Sequence, residues 1–191
     1  MQTPDTLKSL RERRERLLKR DEPRLRMIEP RDAWVLYAAY DLGSFASMPK
    51  GLKPQELWTH VAAWSQRHSS VLMVDANHKY FREKRGPVAM VTIDNLGWTI
   101  EPHIDFFFWA TPRHRLAAAV AFLQMTKYAK EVGACFVRVG EAGAQMCDHI
   151  VERYDLLRPC GKVPNAREDG TEYHYYLKGR REKRAEMKEA A

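Results

Sequence analysis

Cysteine is scarce in this sequence, and its arrangement excludes two common structural roles. Cys135, Cys147 and Cys160 are odd in number and widely spaced, and no Cys-x-x-Cys pair occurs. Neither a disulfide framework nor a zinc knuckle is therefore indicated. We expect reduced thiols in a cytoplasmic setting.

Long apolar runs and nucleotide-binding glycine motifs are also missing. No apolar run approaches the roughly 20 residues that cross a bilayer, and the N-terminus is charged rather than leader-like. We therefore expect neither a membrane segment nor a secretory signal. A P-loop and a dinucleotide glycine fingerprint are both absent, which excludes the nucleotide-binding classes that depend on them.

The net charge of +7 lies entirely on the two ends of the chain. Residues 1–31 hold ten Lys/Arg and six Asp/Glu, residues 178–191 hold six and three, and residues 32–177 are neutral. Basic arms on a neutral body indicate contact with an acidic protein surface, and they leave nonspecific nucleic-acid contact open. The alternative is a pair of solvated helices without a partner. The sequence does not decide the oligomeric state.

The length and the 45% hydrophobic content favour one folded domain with extensions. We divide the chain into a charged helical arm (1–22), a domain (23–178) and a basic tail (179–191) that is also expected to be helical. The arm has a thin leucine stripe that is interrupted at Arg14, so we expect it to order only on a partner. Patterning predicts strands at 25–30, 71–75, 87–93, 98–109, 134–139 and 171–177. It predicts helices at 31–43, 54–68, 113–131 and 142–154, and an exit loop at 156–161.

Residues 98–109 form the most informative predicted strand. Alternation places Glu101, His103 and Asp105 on one face, together with Phe107 and Trp109. Three polar groups on one face of a central strand are unusual. They would either line a cleft or form a buried hydrogen-bonded network or a solvated face. His103 and Asp105 would also make half of a metal site, with His149 or His174 as conceivable third ligands, but no metal is expected.

A turn at 110–113 then starts a long helix, with Thr111 as its N-cap. Its apolar positions repeat at helical spacing and end at the capping residue Gly133: Ala118, Phe122, Met125, Ala129 and Val132. Several aromatic residues would be able to stack on bases, although core positions are more typical of aromatics on strands. They are Trp98, Phe107, Trp109, Tyr173, Tyr175 and Tyr176.

The order β-α-α-β-β-β-α-β-α-β-β over roughly 25–178 resembles the GNAT family of acyl-CoA N-acetyltransferases. The resemblance implies an α+β fold with a mixed, mostly antiparallel sheet flanked by helices. An Arg/Gln-x-x-Gly-x-Gly/Ala turn in that family binds the CoA pyrophosphate at a helix start. Residues 113–118 align with it, so that Arg113 and Ala118 match while Leu116 replaces a glycine. The implied cofactor-binding residues are Trp109, Ala110, Arg113, Arg115 and Ala118.

The resemblance also implies catalytic roles. Tyr154 matches the tyrosine that protonates the CoA thiolate, and Glu101, His103 or Asp105 would be the base. The family's Asn is absent from 139–141, and 157–161 only loosely replaces its Gly-Phe turn.

A narrower likeness joins the Phe-Trp-Ala-Thr-Pro-Arg turn at 108–113 to the Tyr-x-Leu-Leu-Arg run at 154–158. Together they resemble divergent GNAT-like proteins of tailed bacteriophages. We therefore carry two hypotheses. The first is a degenerate binding or structural module of a phage particle or its assembly, which holds protein partners through its arms and requires no cofactor. The second is an active N-acetyltransferase that uses acetyl-CoA.

Overall fold

The computed structural model describes residues 4–45, 48–67, 70–78, 81, 84–95, 99–128, 134–167 and 170–178. Within these residues the helices are α1 (Pro4–Asp21), α2 (Ala33–Asp41), α3 (Pro54–Arg67), α4 (Pro112–Tyr128) and α5 (Glu141–Tyr154), and a 3-10 turn covers Pro30–Asp32. The strands are β1 (Arg24–Met27), β2 (Ser70–Asn77), β3 (Arg85–Asn95), β4 (Thr99–Phe106), β5 (Ala134–Val139), β6 (Leu157–Arg167) and β7 (Gly170–Leu177). None of these helices is long and apolar enough to cross a membrane.

The strands form one mixed sheet in the order β1-β2-β3-β4-β5-β7-β6. β2 pairs antiparallel with both β1 and β3, and β7 pairs antiparallel with both β5 and β6. β4 and β5 pair parallel over a short stretch, with Thr99 opposite Ala134 and Ile100 opposite Cys135. The predicted mixed, mostly antiparallel α+β architecture is therefore confirmed.

The chain divides into two compact units, and α4 and β4 each contribute to both. The second unit holds Asp21–Asn95 and Pro102–Ala119. Its core joins residues from α2 and α3 to residues from β2 and β3, and the T-shaped pair of Phe45 and Phe107 completes it. The largest fully buried side chains there include Leu36, Leu57, Met73 and Met90.

The first unit holds most of α1, the start of β4, the second half of α4 and the chain from β5 onward. Its helix α5 packs on β5, β6 and β7. The buried residues of α5 repeat at helical spacing and are Ala144, Cys147, Ile150 and Tyr154. Gly143 permits this packing, since a Cβ there would lie 2.7 Å from Cβ of Val139.

Most predicted elements are confirmed to within a few residues, but the exit loop is wrong. Residues 157–167 form β6, which pairs with β7 through two irregularities in register. Residues 158–166 of β6 are all exposed, so the strand has no alternating apolar pattern. Proline in this strand is compatible with an edge position, where a missing N–H costs no ladder bond.

The predicted strand at 98–109 is too long, because β4 ends at Phe106. A turn follows, in which the Ala110 N–H donates to the Phe107 carbonyl at 2.8 Å. The alternation therefore fails after Phe106: Phe107 is buried, whereas Phe108 is 67% exposed. In α4, Met125 is also misplaced by the predicted stripe, since it is 43% exposed while Ala118 and Phe122 are buried. Ala129, Val132, Gly133, Trp98 and the tail at 179–191 lie outside the described residues.

Candidate functional site

The start of α4 is fixed by a reciprocal cap within the second unit. The Thr111 hydroxyl accepts a hydrogen bond from the His114 backbone N–H at 3.3 Å. In return, Nδ1 of His114 accepts from the Thr111 N–H at 3.4 Å. The arrangement resembles a capping box in which a histidine replaces the usual Glu or Gln. The sequence-predicted cap at Thr111 is thereby confirmed.

Arg113, which follows this cap, is already bound to an anion. Its Nε donates to Oδ2 of Asp21 at 2.7 Å, and its Nη2 donates to Oδ1 of the same carboxylate. The Asp21 carboxylate is only 2% exposed, whereas the Arg113 side chain is 38% exposed. Arg113 is thus a guanidinium that holds a carboxylate through two parallel bonds, the geometry in which arginine also holds phosphate.

The other predicted cofactor residues lie close around this turn. Nε of Arg115 donates to the Ala110 carbonyl at 3.1 Å, and its guanidinium lies 5.9 Å from the centre of the Phe106 ring. Trp109 donates from Nε1 to the Pro87 carbonyl at 2.8 Å. Ala110 and Ala118 are buried. Within the predicted set, Arg115 contacts Ala110 directly, whereas Trp109 and Arg113 contact residues outside the set.

Two imidazoles meet beside this turn. The rings of His78 and His114 lie 4.8 Å apart, and Nε2 of His78 is 3.0 Å from the Trp109 carbonyl oxygen. The pKa of His114 is lowered, chiefly by burial and then by the neighbouring His78. Positive charge on the His114 ring is consequently disfavoured, and sequence reasoning missed the pair because nothing near His78 marks it.

Two of the predicted catalytic residues on β4 lie in the second unit. Asp105 is partly buried, and this burial raises the pKa of its carboxyl from 3.8 to about 6, although the His103 charge acts in the opposite direction. His103 is exposed, and its Nε2 lies 3.2 Å from Oδ2 of Asp94. Asp105 therefore has a proton affinity suited to general-base chemistry near neutral pH.

Glu101, the third predicted base, belongs to an ion-pair network in the first unit. It is 7% exposed, and its Oε1 accepts from Nε of Arg138 at 2.5 Å. Arg138 also approaches Oε1 of Glu172, which is 2.8 Å from Nε2 of His174. A carboxylate held this way has its lone pairs engaged, as the network alternative describes. Arg138 was the available signal, because a charge inside the apolar stretch 134–139 implies a partner.

Tyr154, the predicted acid, lies at the end of α5 in the first unit. It is 9% exposed, and burial raises the pKa of its phenol, while the charges of Arg153 and Arg13 oppose that shift. Asp155 ends the helix in the left-handed conformation, with φ of 52°, and its carboxylate accepts a hydrogen bond from Lys178. The His149 ring packs edge-on against Tyr154 at a centroid distance of 5.9 Å. The phenol is therefore protonated at neutral pH, and the His149 ring packs against it.

Comparison with known proteins identifies the fold. No protein-family model matches the sequence, and no curated protein matches it either. A solved structure from Chromobacterium violaceum, described as a probable acetyltransferase of the GNAT family, is similar at 16% identity and a TM-score of 0.57. The similarity covers 81% of each chain.

A second similar structure is the spermidine N-acetyltransferase of Vibrio cholerae in complex with CoA and spermine. It matches at 13% identity and a TM-score of 0.56, and covers 81% of this chain and 95% of the other. Identities this low establish the fold alone. The described part of the chain accordingly has the GNAT fold, as the order of its elements predicts.

Proposed function

We propose that this protein is an N-acyltransferase that uses an acyl-CoA thioester and acts on an amine. The observation that carries the proposal is Asp105, a partly buried carboxyl on β4 whose pKa is about 6. Seven residues later, the capped start of α4 presents Arg113 and Arg115. A base of matched proton affinity and an anion-binding helix start are both features that acyl transfer from an anionic donor requires.

The chemical roles follow from the ionisation of the two residues. At pH 7 most Asp105 carboxyls are ionised, so Asp105 is able to take a proton from the attacking amine. Tyr154 lies in the other unit and keeps its proton at this pH, and its acid role stays what the family resemblance implies. The acyl-CoA would supply the activated acyl group. His103 and Glu101 are assigned no proton transfer, since their polar atoms already face Asp94 and Arg138.

The Asp21–Arg113 pair bears directly on how an anionic donor would bind. A carboxylate and a phosphate have the same geometry of recognition by a guanidinium. We propose that the pyrophosphate of the donor exchanges with the Asp21 carboxylate at Arg113. Leu116 stands where the family has glycine, and its side chain restricts how closely a phosphate approaches the backbone N–H groups. In this proposal the Arg113 guanidinium therefore supplies a larger share of the binding energy.

The acceptor is a primary amine in this proposal. The spermidine N-acetyltransferase with the same fold acts on a polyamine, which makes spermidine a reasonable first acceptor to test. The experiment is to incubate full-length protein with acetyl-CoA and a panel of amines, including spermidine and lysine peptides, and to measure thiol release. We expect turnover that falls by a factor of about 100 in Asp105→Asn, in line with the loss of a general base. Thiol release that is equal in the wild type and the variant would refute the assignment of Asp105.

A second candidate is the non-catalytic module that the sequence favours. The observation in its support is that Arg113 is bound to a buried carboxylate of its own chain. In this version the protein belongs to a phage particle or its assembly, and the basic arms hold acidic protein partners. A folded protein that binds no acetyl-CoA but is recovered in a stable complex through its arms would favour this candidate.

A further inference from the structure

A pocket in the first unit gathers positive charge that has no anionic partner among the described residues. Its volume is about 340 Å³, and it is lined by Arg13 and Arg16 of α1 and by His149, Arg153 and Tyr154 of α5. All but Tyr154 are exposed. This is a second cluster of arginines, distinct from the predicted pyrophosphate turn.

The three guanidiniums of the pocket differ from several other arginines of the described chain, which pair closely with a carboxylate. Arg26, Arg85, Arg113 and Arg138 each make an ion pair at 2.7 Å or less. Within the described ranges, no acidic side chain lies within salt-bridge distance of Arg13, Arg16 or Arg153, although Glu12 and Glu152 are their neighbours in sequence. Like charges that converge without a counter-ion repel one another, so a ligand that supplies negative charge would be favoured.

Helix geometry explains the convergence. Arg13 and Arg16 are three residues apart and so share one face of α1. Arg153 lies in the last turn of α5, where a cation is favourable for the helix dipole alone. The mid-helix positions of Arg13 and Arg16 have no such explanation.

Tyr154 completes the lining with a polar group of a different kind. Its side chain is buried and protonated, and the charges of Arg153 and Arg13 act on its phenol. A phenol donor beside three guanidiniums suits a ligand with several acceptor oxygens. Phosphate has this property, and arginine binds it through paired hydrogen bonds.

We propose that Arg13, Arg16, Arg153 and Tyr154 form a binding site for the phosphate group of a small phosphorylated molecule. The pocket volume falls in the range of small-molecule sites, roughly 300–1,000 Å³. The site gives the basic N-terminal arm a ligand-binding role. It shares Tyr154 with the proposed acyl transfer, but its arginines take no part in that reaction.

The test is isothermal titration calorimetry of full-length protein with inorganic pyrophosphate at low ionic strength. The variant is the double substitution Arg13→Gln/Arg16→Gln. The matched control is Lys8→Gln/Arg11→Gln, which removes the same charge at the same spacing from other positions of α1. We expect wild-type binding at millimolar concentration or better, a loss of about tenfold or more in the variant, and a change of less than about twofold in the control.

Further outcomes separate this site from general electrostatic attraction. Arg153→Gln should reproduce the loss, which keeps the site testable if the double variant folds poorly. Equal losses in the double variant and its control would reduce the effect to general electrostatic attraction and overturn the site. Pyrophosphate binding that survives unchanged in the double variant would place the anion elsewhere, and absence of binding in the wild type would also overturn the proposal. Failure here leaves acetyl-CoA turnover untouched, because the two are measured separately.

Discussion

Two groups of arginines in this protein differ in what neutralises them. At the start of α4, Arg113 is bound to the buried carboxylate of Asp21, and Arg115 is bound to the Ala110 carbonyl. In the pocket of α1 and α5, Arg13 and Arg16 have no such partner among the described residues. Arg113, the arginine that matches the family motif, is the one already bound to a carboxylate of its own chain. A motif match therefore identifies a residue able to bind an anion, whereas only the surroundings tell whether that residue is available.

The largest expected effect comes from removing Arg113, the arginine whose charge is neutralised by a buried carboxylate. Arg113→Ala leaves the Asp21 carboxylate buried without a partner, which should reduce the free energy of unfolding by about 3 kcal/mol. Urea denaturation followed by circular dichroism would measure it. Arg115→Ala is the control, because its partner is a neutral carbonyl and the expected loss is about 1 kcal/mol. Equal losses in the two variants would contradict a special role for Asp21.

Asp105, on the strand that leads to α4, extends the comparison to a carboxylate whose burial makes ionisation unfavourable in the folded state. Its folded pKa of about 6 exceeds the ordinary 3.8, so the folded state binds the proton more tightly than the unfolded state. Stability should therefore fall as the pH rises from about 4 to 6. At pH 7, Asp105→Asn should stabilise the fold by up to about 2 kcal/mol after allowance for partial exposure, and below pH 4 the gain should vanish.

Thermal melts at pH 3.5 and 7 would measure this pH dependence. Asp41→Asn, at an exposed position of α2, removes the same charge and should show no comparable gain. A gain for Asp105→Asn that is the same at both pH values would rule out ionisation as its cause.

The smallest expected effect is on the unpaired arginines. Arg13→Gln/Arg16→Gln removes two exposed charges that contact no carboxylate in the described chain, so the free energy of unfolding should change by no more than about 0.5 kcal/mol. Urea denaturation beside the Arg113→Ala variant would show the contrast. A decrease of several kcal/mol in the free energy of unfolding would mean that these arginines stabilise the fold, which contradicts a role in ligand binding alone.

Much of the fold was predictable from the sequence because its signals are local. Apolar periodicity and caps placed α4, α5 and β5, and the Thr111 cap appears as predicted. β6 escaped prediction because an exposed edge strand is specified by its pairing with β7 rather than by its own pattern. The predicted orientation of Phe107 was wrong because β4 ends at Phe106, and the turn that follows does not continue the alternation of the strand.

The candidate site was predictable only in part, for a related reason. Residue types and spacing pointed to Arg113 and Asp105, but the partner of Arg113 lies 92 positions away in sequence. No local pattern reveals such a pairing. The pocket of Arg13 and Arg16 likewise depends on where α5 packs, and the sequence of the arm at 1–22 predicted a basic helix but not which residues face it.

The most direct measurement is a thermal melt of wild-type protein and of Asp21→Asn, each with and without millimolar acetyl-CoA. A ligand at 100 times its Kd stabilises by about 2.7 kcal/mol, several degrees for a chain of this size. If Asp21 holds the place of the donor's pyrophosphate, acetyl-CoA should raise the Tm of the wild type and raise that of Asp21→Asn further. Two folded proteins with no shift would contradict the donor, and equal upward shifts would contradict the exchange with Asp21 at Arg113.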